Sequence, residues 1–228
     1  MIGSRERKGA VIYGALAVGL VAVIVATFTL GRAKVTGGTP EQRVACIARL
    51  ADEKPWGAAD AIAAAAADDP DPAVRQAALV VLGRFIDPKY RPLIEAATED
   101  PSPAVRAGAA GTLGLYSDDA AAERLGTMAA QAPEEQVRLA AIQGLGRLRR
   151  RRSVLHLVRI IEDEGRSAVV RRRALDALGR HLGARFRNVP DPADAVAWRR
   201  LMRRVRRFPA VRKALEGAPD RTDERRRP

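Results

Sequence analysis

Ten residues recur four times in this chain: "VRQAALVVLG" from Val74, "VRAGAAGTLG" from Val105, "VRLAAIQGLG" from Val137 and "VRRRALDALG" from Val170. The intervals are 31, 32 and 33 residues, a period typical of architectures built by stacking one supersecondary unit. With the copies in register, apolar or small residues fall at the valine and four, five and eight positions on. In the first copy these are Val74, Ala78, Leu79 and Leu82, and in the third Val137, Ala141, Ile142 and Leu145. That spacing is one face of an α-helix. Gly83, Gly114, Gly146 and Gly179 follow in turn and are read as left-handed residues that end these helices. Asp71–Pro72 and Ser102–Pro103 are read as an N-cap followed by proline in the first helical position. Glu134 and Ser167 fill the same slot in the later copies.

A second amphipathic stretch follows each glycine: 88–99 with Leu93, Ile94 and Ala97, 118–131 with Leu125, Met128 and Ala129, and 151–163 with Val154, Leu157, Val158 and Ile161. Each repeat is therefore a helical hairpin. One hairpin cannot bury both of its apolar faces, so neighbours must stack and share a core. Residues 41–51 align with the first copy at an offset of 32, placing Arg43 on Arg75 and Leu50 on Leu82; together with 55–68 they read as a degenerate N-terminal repeat. No run after residue 40 alternates as a strand does. The expected fold is all-α: a right-handed α-solenoid of about five stacked helical hairpins over 41–183, preceded by one transmembrane helix. A C-terminal capping helix region follows over 184–216, where Ala193, Ala197, Leu201, Val205 and Phe208 form the expected apolar stripe. The tail 217–228 is expected to be disordered.

The run "DPDPAVRQAALVVLGRF" and its three in-register copies resemble the HEAT-repeat family, in the short bacterial variety also found in phycobilisome lyases. The resemblance covers most of 41–183. It implies that first helices line a convex side and second helices a concave one. It also implies a structural ladder of Arg75, Arg106, Arg138 and Arg171 with loop acids of adjacent repeats, such as Asp69 and Asp100. Ala132 and Gly165 stand at the acidic slot of the later copies. "DPADAVAWRR" resembles the closing segment of some bacterial HEAT proteins.

Residues 10–30, "AVIYGALAVGLVAVIVATFTL", carry no charge. As a helix they span about 31 Å, matching the ~30 Å hydrocarbon core of a bilayer. They are read as an uncleaved anchor between a basic tail, 1–9, and a linker, 31–40. Arg5, Arg7 and Lys8 precede the span and Arg32, Lys34 and Arg43 follow it, so charge bias alone does not orient it. A short charged tail is hard to translocate, which places the N-terminus in the cytoplasm and the repeats outside a bacterial inner membrane. Gly14 and Gly19 offer small-residue contacts through which two such helices could pair as a homodimer.

The formal charge of +13 is uneven. Residues 41–148 carry 11 basic and 16 acidic residues, whereas 149–228 carry 24 and 10. A basic half points to an acidic partner, or reflects an arginine-rich composition, since Arg supplies 35 of the 40 basic residues. The single cysteine, Cys46, reads as a small buried residue. It and two histidines match no metal-ligand pattern. His156 and His181 have no serine or cysteine partner at a catalytic spacing, and no glycine loop cradles a phosphate. No catalytic, metal or cofactor site is assigned. Interleaved stacking aromatics are missing, which argues against nucleic acid. The expected function is a membrane-anchored scaffold whose concave face holds an acidic protein. The candidate contacts are Arg91, Arg124, Arg152, His156 and Arg159 on the second helices, continued by Arg199, Arg200, Arg203 and Arg204. The alternatives are a phycobilisome-lyase-like chromophore enzyme and polyanion or anionic-lipid binding by the basic half.

Overall fold

The computed structural model describes residues 35, 37–53, 57–183, 186, 189, 190 and 194–216; among them lie eleven α-helices and no strand. The expected span 10–30, the tail 1–9 and the tail 217–228 lie outside the described residues. No helix among the described residues is long and apolar enough to cross a membrane. The chain divides into two compact units, one ending at Leu82 and the other beginning at Gly83.

The first unit holds α1 (Pro40–Glu53), α2 (Ala58–Asp68) and α3 (Pro72–Leu82), which pack on one another. Ile47, Ile62, Leu79 and Leu82 are fully buried at its centre, and Cys46 is a buried free thiol. The expected start of α3 is present: the Asp71 side chain accepts a hydrogen bond from the Ala73 amide at 2.8 Å. Arg43, which aligns with Arg75, is buried and grips Asp69 with two bonds, Nε–Oδ2 at 2.8 Å and Nη2–Oδ1 at 2.9 Å. The same Asp69 accepts the Asp71 amide at 2.9 Å, so the desolvated carboxylate is fully matched.

The second unit begins with α4 (Arg91–Ala96), flanked by 3-10 turns at Pro88–Tyr90 and Ala97–Glu99. The continuous helix expected over 88–99 is thus broken. Pro88 and Pro92 lack amide donors, and Thr98 Oγ1 donates to the Glu95 carbonyl at 2.6 Å, competing for a helical acceptor. Then come α5 (Pro103–Leu113), α6 (Asp119–Gln131), α7 (Glu135–Arg147), α8 (Arg151–Glu162), α9 (Ala168–Leu182), α10 (Ala195–Arg206) and α11 (Pro209–Leu215). The first helices of the repeats, α5, α7 and α9, stack in a row, and α6 stacks on α8. Cross-packing of α6 on α7 and α8 on α9 joins the rows. Every in-register position of these three copies is buried: Val105, Ala109, Ala110 and Leu113 in α5, Val137, Ala141, Ile142 and Leu145 in α7, Val170, Ala174, Leu175 and Leu178 in α9.

Two local expectations are corrected. Ser102 makes no side-chain cap; its amide is instead bonded to the Asp100 carboxylate at 2.8 Å. Ser167 does cap, accepting the Val170 amide at 3.3 Å. The repeated glycines are not left-handed helix ends. Gly114 has φ −63°, Gly146 and Gly179 lie inside α7 and α9, and Gly83 is not among the positive-φ residues. The left-handed terminus of α9 is Gly183, φ 61°. Two of the repeated glycines serve close approach. A Cβ on Gly114 would meet Gly144 Cα at 2.5 Å, and one on Gly146 would meet Arg180 Nη2 at 2.5 Å and Ala177 Cβ at 2.9 Å. Gly144 is equally crowded, with the Ala110 carbonyl oxygen 2.8 Å from its would-be Cβ.

The histidines also bridge repeats. His181 Nε2 lies 2.8 Å from the Leu145 carbonyl, and His156 Nε2 lies 3.2 Å from Glu123 Oε2. Burial pushes the pKa of both below the usual imidazole value, against the opposing pull of the Leu145 carbonyl and of Glu123.

Two predictions follow from this packing. Gly114→Val should destabilise the protein by at least ~2 kcal/mol, because the added carbons meet backbone rather than a movable side chain. Gly111→Ala, whose Cβ would meet nothing within 4 Å, should stabilise it by up to about 1 kcal/mol through helix propensity. Denaturant midpoints check both; a Gly114→Val protein as stable as the parent would refute the close approach. The depressed histidine pKa values mean the folded state disfavours their protonation. Their contribution is complete above the unfolded value, about 6.5, and is lost as pH falls below it through the folded values. Thermal midpoints should therefore fall as pH drops from about 6.5 towards 5, before the carboxylates titrate, and the His156→Gln/His181→Gln double variant should flatten that slope.

Candidate functional site

The second helices carry the polar face on which partner contacts are expected, and most of its cations are already matched. Arg91 bonds Glu95 at 2.8 Å one turn along α4, and its guanidinium forks onto Asp118, with Nη2–Oδ1 at 3.1 Å. Arg124 on α6 reaches back to Thr98 Oγ1 at 2.8 Å and Glu99 at 2.6 Å. Arg152 on α8 reaches back to Glu123, and its Nε lies 3.5 Å from Asp119. His156 shares Glu123, and its ring occupies the space that a side chain at Gly126 would fill. Arg159 is half-buried. The Arg152 guanidinium, aided by His156, holds the Glu123 carboxyl below its usual range against the effect of burial. Burial pushes Asp118 up, but the Ala121 amide and Arg91 outweigh it and keep this carboxyl low as well. These links join residues 25 to 33 positions apart, tying each second helix to its neighbour. Glu123, the shared acceptor, was not singled out in the sequence; the offset of 29 residues from Arg152, close to one repeat, was the available signal.

Three of the four arginines expected in the ladder hold main-chain carbonyls of the turn before their own helix. Arg75 donates to the main-chain carbonyls of Asp69 at 2.8 Å and Pro70 at 3.2 Å. Arg106 donates to those of Asp100 and Pro101 at 2.6 and 3.0 Å, and Arg138 to those of Ala132 and Pro133 at 2.8 and 2.7 Å. The recurring partner is backbone, which explains why Ala132 serves as well as an aspartate. Carboxylates add to this: Arg106 Nη2 forms an ion pair at 2.8 Å with Glu134 of the next repeat.

Arg171, the fourth of the series, is buried. Its Nε donates to the Ile161 carbonyl at 3.2 Å, and its guanidinium lies 4.5 Å from the centre of the Trp198 ring. Trp198 Nε1 donates to the same carbonyl at 3.2 Å. Ile161 sits in the last turn of α8, where carbonyls have no intrahelical donor, so two side chains satisfy a helix end. Burial pulls the Arg171 pKa down, yet a guanidinium remains charged throughout the accessible range.

Trp198 therefore organises the closing helix, and the stripe read from the sequence is corrected. The buried face of α10 is Trp198, Leu201, Met202 and Val205, while Ala197 and Phe208 are half-buried and Ala193 lies outside the described residues. Those four follow i, i+3, i+4, i+7 spacing, the more exact helical register. Asp194 caps the helix by accepting the amides of Val196 at 3.1 Å and Ala197 at 2.9 Å. The polar side of α10 divides in two. Arg206 bonds Glu162 at 2.7 Å and Arg199 stands 3.6 Å from Glu164. Arg200, Arg203 and Arg204 are exposed and make no hydrogen bond or ion pair among the described residues. A cleft of about 410 Å³ opens between α10 and the end of α8, with Trp198 and Met202 among its walls.

No match was found among curated proteins. A chain of the solved complex of CpcE and CpcF of phycocyanin lyase from Nostoc sp. PCC7120 superposes with a TM-score of 0.55 at 24% identity, covering 68% of this chain. This chain spans only 64% of the length of that one, and the likeness is one of fold. Residues 59–133 match the family described as HEAT repeats. That segment runs from α2 through α6 and contains two of the four copies, the carbonyl-bound arginines Arg75 and Arg106 and the buried Val–Ala–Leu face. Over that segment the chain is similar to HEAT repeats, and the helical stack has the fold of a HEAT-like solenoid.

Proposed function

We propose that this protein is a non-catalytic scaffold that holds an acidic protein, tethered to the bacterial inner membrane through residues 10–30. The observation that carries the reading is the distribution of unmatched charge. On the second helices Arg91, Arg124 and Arg152 are engaged with carboxylates of neighbouring helices. On α10, Arg203 and Arg204 stand one turn on from Arg200, and the three make no hydrogen bond or ion pair among the described residues. Like charges at i, i+4 destabilise a helix by about 0.2–0.5 kcal/mol per pair, and an acidic partner would relieve that repulsion. Arginine suits the role because its planar fork pairs with both oxygens of a carboxylate. In this reading Arg199, Arg200, Arg203 and Arg204 are the principal contacts, and Arg91, Arg124, Arg152, His156 and Arg159 frame the adjoining face. The repeats lie outside the membrane with the N-terminus in the cytoplasm, and the span offers Gly14 and Gly19 for pairing with a second copy. A phycocyanin-lyase-like activity is supported by the likeness in fold alone, which does not carry chemistry.

Crosslinking in intact membranes tests the scaffold. The Arg200→Gln/Arg203→Gln/Arg204→Gln protein should yield at least tenfold less crosslinked partner, whereas Arg172→Gln/Arg173→Gln on the exposed side of α9 should yield as much as the parent. Equal yields from both would refute the assignment. The protein should stay with the membrane through a high-salt wash; release by salt would remove the anchor and leave only electrostatic attachment.

A further inference from the structure

The cleft between α10 and the end of α8 has a built composition that the scaffold reading alone does not explain. Its volume, about 410 Å³, lies in the range of roughly 300–1,000 Å³ typical of pockets that seat small groups. Trp198 and Met202 supply an apolar floor, fixed in place by the Arg171 guanidinium 4.5 Å from the indole centre and by the Trp198 bond to the Ile161 carbonyl. Arg199, Arg203 and Arg206 form the rim at i, i+4 and i+7 of α10, along one helix face. Glu162 takes Arg206 at 2.7 Å and Glu164 stands 3.6 Å from Arg199. Arg203, between them, carries no hydrogen bond or ion pair among the described residues. The rim thus presents one unmatched guanidinium beside an apolar floor.

We infer that this cleft docks an acidic peptide segment of a protein partner, with an aspartate or glutamate on Arg203 and a neighbouring apolar side chain on Trp198 and Met202; the inference rests on the scaffold reading. The chemistry separates this occupant from other anions. A nucleic acid would pair its phosphates with the arginines, but base stacking needs an open ring face, and the Arg171 guanidinium lies over that of Trp198, leaving the cleft only the ring's edge. A bilayer surface would meet the arginines but leave the floor unfilled. The apolar side of α10 is itself buried in the protein, so it cannot insert as a free amphipathic helix does.

The test uses the detergent-solubilised full chain carrying Trp56→Phe, which leaves Trp198 as the only tryptophan and its fluorescence as the reporter. Three capped hexapeptides are titrated at fixed salt: leucine flanked by two aspartates, the same with asparagines, and the same with glycine in place of leucine. The leucine–aspartate peptide should shift Trp198 emission and bind at least tenfold more tightly than either control. Arg203→Gln should remove that preference for acid, and Met202→Ala the preference for leucine, while Arg207→Gln, exposed and outside the cleft, should change neither. Equal binding of the glycine and leucine peptides would overturn the proposal, as would tighter binding to phosphatidylglycerol vesicles with the same Arg203 dependence. If Arg203→Gln and Met202→Ala retain full crosslinking to the partner in membranes, the cleft is wrong and the scaffold stands. If the parent itself captures no partner, the scaffold reading fails.

Discussion

The distance between consecutive hairpins in the second unit governs what else it can do. Gly114 and Gly144 bring α5 and α7 together so closely that no side chain fits between them. Gly146 and Ala177 do the same for α7 and α9. At this separation small residues such as Ala109, Ala141 and Ala174 fill the seam, and the larger Leu113, Leu145 and Leu178 reach the core shared with the second helices. A buried side chain of this size contributes roughly 1.5–3 kcal/mol, but only when the next repeat covers it. The hairpins are thus interdependent, and the scarcity of aromatics, 4% of the chain, suits a core built by close approach rather than bulk.

Electrostatics divides along the same lines. Between repeats, arginines are spent on neighbours: Arg91 with Asp118, Arg124 with Glu99, Arg152 with Glu123. Such partly exposed pairs contribute little individually, about 0–1 kcal/mol, and their main effect is to fix the register of one second helix on the next. The buried pair of Arg43 and Asp69 in the first unit differs, because losing either partner there would strand a desolvated charge. On α10 the arginines outnumber the carboxylates that reach them, Glu162 at Arg206 and Glu164 at Arg199. Arg200, Arg203 and Arg204 are left over, exposed and with no hydrogen bond or ion pair among the described residues.

How much of this was legible in the sequence depends on which interactions leave a periodic trace. The buried face did, because helix geometry forces apolar residues into the same register in every copy; Val105, Val137 and Val170 are all buried as their spacing requires. The role of Gly114 and Gly146 did not, because a glycine that ends a helix and one that admits a neighbouring backbone look identical along the chain. The stripe from Ala193 to Val205 at intervals of four omits Trp198 and drifts off a helix of 3.6 residues per turn, while Trp198, Leu201, Met202 and Val205 follow the drift. The break in the helix over 88–99 was signalled by Pro88 and Pro92, but amphipathicity outweighed them in the reading. The second-helix arginines were read as a free basic face because their partners lie a repeat away, where only the stacking brings Glu99 and Glu123 within reach.

The ladder of Arg75, Arg106 and Arg138 binds main-chain carbonyls of the preceding turn. Every residue type supplies a carbonyl, so the acceptor survives any substitution at its own position. Asp69, Asp100 and Ala132 hold that slot in successive copies without loss of the bond. A repeat copied along a gene would therefore bring the fastening with it, carried by a single arginine codon. The turn itself would remain free to diverge, acquiring whatever loop chemistry selection favoured while it stayed fastened to the helix that follows it.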